Sequence, residues 1–240
     1  MVNGLETFRR YFKDYSRDYV LIGGVACELA MNRLQLEFRP TDDFDIVIVA
    51  ENILQGYGRA LKEFIRDGGY SVPLRESNGR PTFFRFLNPT REGFPAKLEL
   101  ATRKPIADWP WQFAPVDAGD AHSSLSAILF EPEFYQFIID NAVLVNDIST
   151  LRLEGLIPSK CLAYLELKKK TNPSEKIRAN MEKHLLDVFR LADVLPDGTF
   201  PVPEMVASAI RDMLTQLAEL SLTTDQLSLV NMLRTFYQLG

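Results

Sequence analysis

Every strand signal in this chain precedes residue 155, and the long patterns after Pro158 are all helical in period. Apolar and polar residues alternating over a few positions mark strands, whereas apolar residues recurring every three or four positions mark one side of a helix. "YVLIGG", "DFDIVIVA", "YSVPLRE", "PTFFRFLN" and "AKLELAT" belong to the first kind, with Asn78-Gly79 and Glu92-Gly93 as turns. Segments near 125–130 and 141–153 also read as extended, with "PEFYQFII" helical between them. "LETFRRYFKDY", "VACELAMNRL" and "ILQGYGRALKEFIRDGG" read as helices. Val25, Leu29 and Leu34 are the inward candidates of the second, and Gly68-Gly69 close the third. Beyond them the spacing predicts helices over 158–170, 176–194, 202–219 and 223–239. Pro158 is expected in a first turn, and Ile177, Leu185, Val188, Phe189 and Ala192 form an apolar stripe. The expected fold is α+β: a mixed sheet flanked by helices over residues 1–155, then a helical domain over 156–240.

Composition removes several function classes. A net charge of −5 gives no global basic field for a long nucleic-acid footprint, so a polyanion would have to be gripped locally. The two cysteines, Cys27 and Cys161, lie in apolar helical contexts, where buried thiols are expected rather than a disulfide or a zinc site. The N-terminal stretch has no apolar core of signal-peptide type, and no apolar run approaches the roughly 20 residues a membrane span needs. A cytoplasmic location is expected.

The chemistry-bearing stretch is "RPTDDFDIVIV", residues 39 to 49. Asp43 and Asp45 are two apart on a strand, so they share a face about 7 Å apart, while Asp42 and Phe44 point away. Converging carboxylates repel unless a proton or a cation sits between them. Magnesium meets that demand, since it takes one or two carboxylates together with phosphate oxygens and water. A polar strand entrance with an aspartate capping a turn meets it equally well on this stretch alone. Upstream, "LIGGVACELA" is a strand, a Gly-Gly turn and a helix start. Such a turn presents bare N–H groups and the positive end of a helix to a phosphate, although plain turn geometry also uses paired glycines.

The combination "IGG…RPTDDFDIVIV" resembles the polymerase-β-like nucleotidyltransferase superfamily, whose signature is hG[G/S], a helix, then DhDh on the next strand. Arg39, Thr41, Asp43 and Asp45 match R-x-T-x-D-h-D, the pattern of its AbiEii/MenT-type, toxin-like branch. The resemblance implies Asp43 and Asp45 as metal ligands and Gly23 and Gly24 as the triphosphate cradle, with Arg39 and Thr41 beside the nucleotide. It also implies a third carboxylate on a later strand, for which Glu99 in "AKLELAT" is the candidate as general base or third ligand. Lys97 shares the Glu99 face, so a cross-strand ion pair is the competing reading of that residue. In the helical half, Lys160 matches the family's Lys-x-x-Ala helix, and Lys183 and Asp187 match the outer positions of its Lys-Asp-x-x-Asp helix. Lys160 would contact triphosphate oxygens, and Asp187 would assist catalysis. Two departures are His184 in place of the inner aspartate, and the 18 residues, Val25 to Asp42, between Gly24 and Asp43.

The activity so implied is transfer of a nucleoside monophosphate from an NTP to a hydroxyl, using one or two Mg2+ ions, in a cleft between the two halves. The acceptor is open among tRNA, a protein and a small-molecule alcohol, and an antitoxin-like partner goes with the toxin-like branch. The departures motivate the alternative of a catalytically degenerate nucleotidyltransferase-fold binding or regulatory module. A metal-dependent glycosyltransferase with its own Asp-x-Asp fits the Gly-Gly, helix, acidic-strand order less well. His122 and His184 are the only histidines, which argues against His-ligated zinc, and no G-x-S-x-G elbow is present. Trp109, Trp111 and Phe113 lie in a Pro-rich stretch suited either to stacking a base or to anchoring a loop.

Overall fold

A computed structural model of the chain describes residues 2–49, 55–71, 82–102, 131–217 and 222–240. The 105–120 stretch with Trp109, Trp111 and Phe113, the 125–130 segment, most of "YSVPLRE", Asn78-Gly79 and His122 lie outside the described residues. The chain divides into two compact units: Met1–Ala121 with Ile138–Arg152, and His122–Phe137 with Leu153–Gly240.

In order, the first unit has α1 (Leu5–Phe12), β1 (Tyr19–Ile22), α2 (Gly23–Arg33), β2 (Asp43–Ile48), α3 (Gln55–Gly68), β3 (Thr82–Leu87) and β4 (Lys97–Thr102). The division falls within α4 (Pro132–Asp140), after which β5 (Ala142–Val145) and β6 (Ile148–Leu151) complete the unit. The six strands form one mixed sheet in the order β3-β4-β2-β1-β6-β5. β2 runs parallel to β4 and antiparallel to β1, which in turn runs parallel to β6.

Alternation decides what each face of this sheet does. Phe44, Ile46 and Ile48 of β2 share a face with Tyr19 and Leu21 of β1, their neighbours in register being Ile46 with Leu21 and Ile48 with Tyr19. That face is buried against Phe8 and Phe12 of α1 and Tyr57, Leu61 and Phe64 of α3. Phe8 anchors it, with ring centroids 5.3 Å from Phe44 and 5.8 Å from Phe64. Each such side chain taken from water contributes roughly 1.5–3 kcal/mol. Gly69, at φ +63, ends α3 in the left-handed conformation expected of the Gly68-Gly69 pair. Leu34 departs from expectation: α2 stops at Arg33, which takes Leu34 out of helical phase and leaves it 47% exposed.

The extended reading of 141–153 resolves into a hairpin. Asn146 and Asp147 both take positive φ, 48° and 65°, which is the two-residue turn whose twist suits paired strands. In the second unit α5 (Leu153–Lys168), α6 (Glu175–Ala192), α7 (Glu204–Leu217) and α8 (Thr224–Phe236) follow. Ser174 caps α6 through Ile177 N–H, and Thr223 with Gln226 forms a capping box on α8. Among the described residues no helix is long and apolar enough to cross a membrane.

Pro158 does not open α5, as its position implied, but sits inside it. A proline there removes the N–H that would bond the carbonyl four residues earlier, that of Glu154. The Tyr237 hydroxyl donates to that carbonyl instead, at 2.7 Å. Tyr237→Phe is therefore expected to cost about 1–2 kcal/mol, seen as a lower urea midpoint with an unchanged slope. Pro158→Ala, which restores an N–H, should recover part of that loss in the double variant. An unchanged midpoint in Tyr237→Phe would show that the bond contributes nothing.

Candidate functional site

The turn from β1 into α2 is built for close approach. Gly23 has φ +70, a conformation in which side chains are strained, and a Cβ there would lie 1.9 Å from Asp45 Oδ2. A Cβ on Gly24 would lie 2.5 Å from Thr41 Oγ1. The two glycines thus let a carboxylate and a hydroxyl from the chain around β2 settle on the backbone where α2 begins. The partial positive charge of a helix N-terminus favours the carboxylate. Of the residues singled out in the sequence, Gly23, Gly24, Thr41 and Asp45 are brought together in this way. Arg39 lies just upstream, its guanidinium 5.3 Å from the centroid of the Phe38 ring.

Register supplies the rest of the face. Asp43 is paired with Lys97 and Asp45 with Glu99 across β2 and β4, while Arg85 of β3 is paired with Glu99. Because all these positions share the pleat, three carboxylates and two cations stand on one side of the sheet. Lys97 Nζ lies 2.9 Å from Asp43 Oδ2 and 3.2 Å from Glu99 Oε1, and Arg85 Nε donates to the same Glu99 oxygen at 2.7 Å. Burial works against the Lys97 charge, but Glu99, Asp45 and Asp43 outweigh it and hold the ammonium above the usual lysine range. The ion pair that competed with the catalytic reading of Glu99 is therefore formed. Glu99 is nearly buried, whereas the Asp43 side chain is 44% exposed.

Asp43, Asp45 and Glu99 offer hard oxygen donors of the kind magnesium takes. Among the described residues, however, no group of three or more His, Cys, Asp and Glu side chains is arranged to hold a metal. Asp43 and Asp45 are the residues that would hold such an ion together with phosphate oxygens and water. Two concavities of the first unit share no residue with this face: one of 640 Å3 along Asn88–Phe94 and one of 340 Å3 beside Arg17 and Leu144.

The second unit holds the remaining candidates. Lys160 on α5 donates to Asp187 on α6 at 2.9 Å, and the two side chains are 4% and 0% exposed. The lysine matched to triphosphate binding and the aspartate matched to catalysis thus answer each other's charge across two helices of one unit. Lys183 is exposed and His184 partly buried on the same helix as Asp187. Arg85 is the member of the charged face that sequence reasoning did not single out. Its alternating context, "FFRFL", shows a strand, but only the antiparallel register with β4 sets it against Glu99. Comparison of the chain with protein-family models, with curated proteins and with solved structures found no match.

Gly23→Ala is expected to lose roughly 2–4 kcal/mol of stability from positive φ and the collision with Asp45 together. In the Asp45→Ala background the loss should shrink to about 1 kcal/mol, because only backbone strain remains. Equal losses in both backgrounds, by denaturant unfolding, would contradict the close packing described. For the buried pair, Asp187→Ala strands an ammonium and should cost about 3–5 kcal/mol, whereas Lys160→Met with Asp187→Leu should recover most of it. A variant series in which the double change is as damaging as the single would argue against the two charges answering each other.

Proposed function

We propose that the protein is a magnesium-dependent nucleotidyltransferase that moves a nucleoside monophosphate from an NTP to a hydroxyl group. The observation that supports this reading best is the packing of Asp45 on Gly23 and of Thr41 on Gly24. It joins the glycine turn and the acidic strand, which are far apart in sequence, into one constellation at the start of a helix. In this reading Asp43 and Asp45 hold the magnesium ion, which supplies charge neutralisation for the triphosphate when bound. Backbone N–H groups at Gly23 and Gly24 receive phosphate oxygens, aided by the helix terminus. Thr41 and Arg39 lie on the approach to that turn and orient the nucleotide. Glu99, steadied by Arg85, receives the acceptor's proton. Chemistry of this class depends on positioning and charge more than on covalent steps. Lys160 and Asp187 are assigned a structural part in this scheme.

The acceptor hydroxyl belongs to a tRNA end, a protein or a small alcohol. Such an activity, toxin-like in type, would call for a neutralising partner. The second reading, a degenerate fold that binds without catalysis, is favoured by one observation: the carboxylates already have Lys97 and Arg85 as counter-charges.

Calorimetry separates the readings. The wild type is expected to bind an NTP only with magnesium present. Asp43→Asn combined with Asp45→Asn should weaken that binding more than about a hundredfold, with an unchanged far-ultraviolet dichroism spectrum, since even outer-shell changes cost 10–100-fold. Equal affinity in both proteins would refute the metal role of the pair. Incubation with labelled NTPs, magnesium and total cell lysate should transfer label. Absence of both label transfer and metal binding would favour the binding module.

A further inference from the structure

We infer that Lys97 is the resident counter-cation of the carboxylate face: its ammonium holds the place that a divalent ion takes, and it leaves when that ion binds. The inference rests on the nucleotidyltransferase reading and adds to it the residue that sets metal affinity. Lys97 touches acids of both strands, at 2.9 Å to Asp43 and 3.2 Å to Glu99. Arg85 pairs with Glu99. The two cations also differ in kind. Arg85 is planar and holds its partner from β3, whereas Lys97 is a compact point charge on a flexible stem and is 27% exposed. It therefore has somewhere to go. A divalent ion and an ammonium repel strongly at contact distance, so both do not occupy the same few ångströms between Asp43 and Glu99. Once Lys97 withdraws, Arg85 still balances Glu99, and Asp43 loses its contact with the ammonium. Metal binding is thereby weakened by the cost of expelling Lys97.

The test uses the full-length protein with magnesium chloride and no nucleotide, read by thermal unfolding and by calorimetry at a pH where the carboxylates are charged. Without metal, Lys97→Met should melt about 3 °C below the wild type, because the acids lose their shared counter-charge. Magnesium should restore the melting temperature of Lys97→Met while hardly moving that of the wild type, and should bind the variant roughly tenfold more tightly. Adding Asp43→Asn and Asp45→Asn to Lys97→Met should abolish the response. Lys97→Gln, which keeps side-chain length and polarity, serves in the same measurements should the methionine variant fail to fold. Equal magnesium affinity and equal thermal response in wild type and variant would overturn the inference. Magnesium-dependent NTP binding by the wild type, alongside that negative result, would leave the function reading standing. The opposite pattern, metal gain in the variant with no NTP binding by either protein, would sink the function reading and keep the metal site.

Discussion

Three carboxylates can share one side of a sheet only where positive charge arrives from the neighbouring strands. Asp43 and Asp45 come from β2, Glu99 from β4, and the compensating charges from Lys97 on β4 and Arg85 on β3. The strand order β3-β4-β2-β1 is what places these side chains side by side. The opposite face of the same strands is apolar and buried against α1 and α3. On the acid-bearing face Val20, Ile22 and Val47 are buried as well, so the charges stand at one end of an apolar strip.

The same face is coupled to a helix terminus through two missing side chains. Gly23 accepts a backbone conformation that costs other residues about 1 kcal/mol or more, and in return Asp45 rests against the main chain. Local rules are broken here in two ways at once, by positive φ and by clustered charge. Such breaks concentrate where a protein binds or reacts, because elsewhere they only reduce stability. This coincidence is the physical ground for treating the face as a site.

Two polar contacts stand out within the helical unit. Pro158 deprives Glu154 of a helical hydrogen bond, and Tyr237, from the end of the chain, supplies another. Lys160 and Asp187 bring opposite charges into the interior and pair there. An ion pair so deeply buried is weak evidence for net stability, yet loss of one partner would leave an uncompensated charge. Both arrangements link residues distant in sequence, and both hold α5 to its neighbours in the unit.

Sequence alone determined the elements whose period is short and local. The strands "YVLIGG" and "DFDIVIVA", the helix closed by Gly68-Gly69, and the shared face of Asp43 and Asp45 all follow from alternation and turn chemistry within a few residues. Leu34 escaped because a helix end is set by where capping competes with propagation, and Pro158 because a partner 79 positions later, Tyr237, makes an interior proline tolerable. Tertiary structure decided everything that depends on register. Arg85 and Lys97 acquire their meaning only when β3, β4 and β2 align, and the pairing of Lys160 with Asp187 only when two helices pack. Periodicity reports which face a residue occupies; it carries no record of which residue stands opposite, because that is fixed by long-range pairing whose free energy the local sequence does not contain.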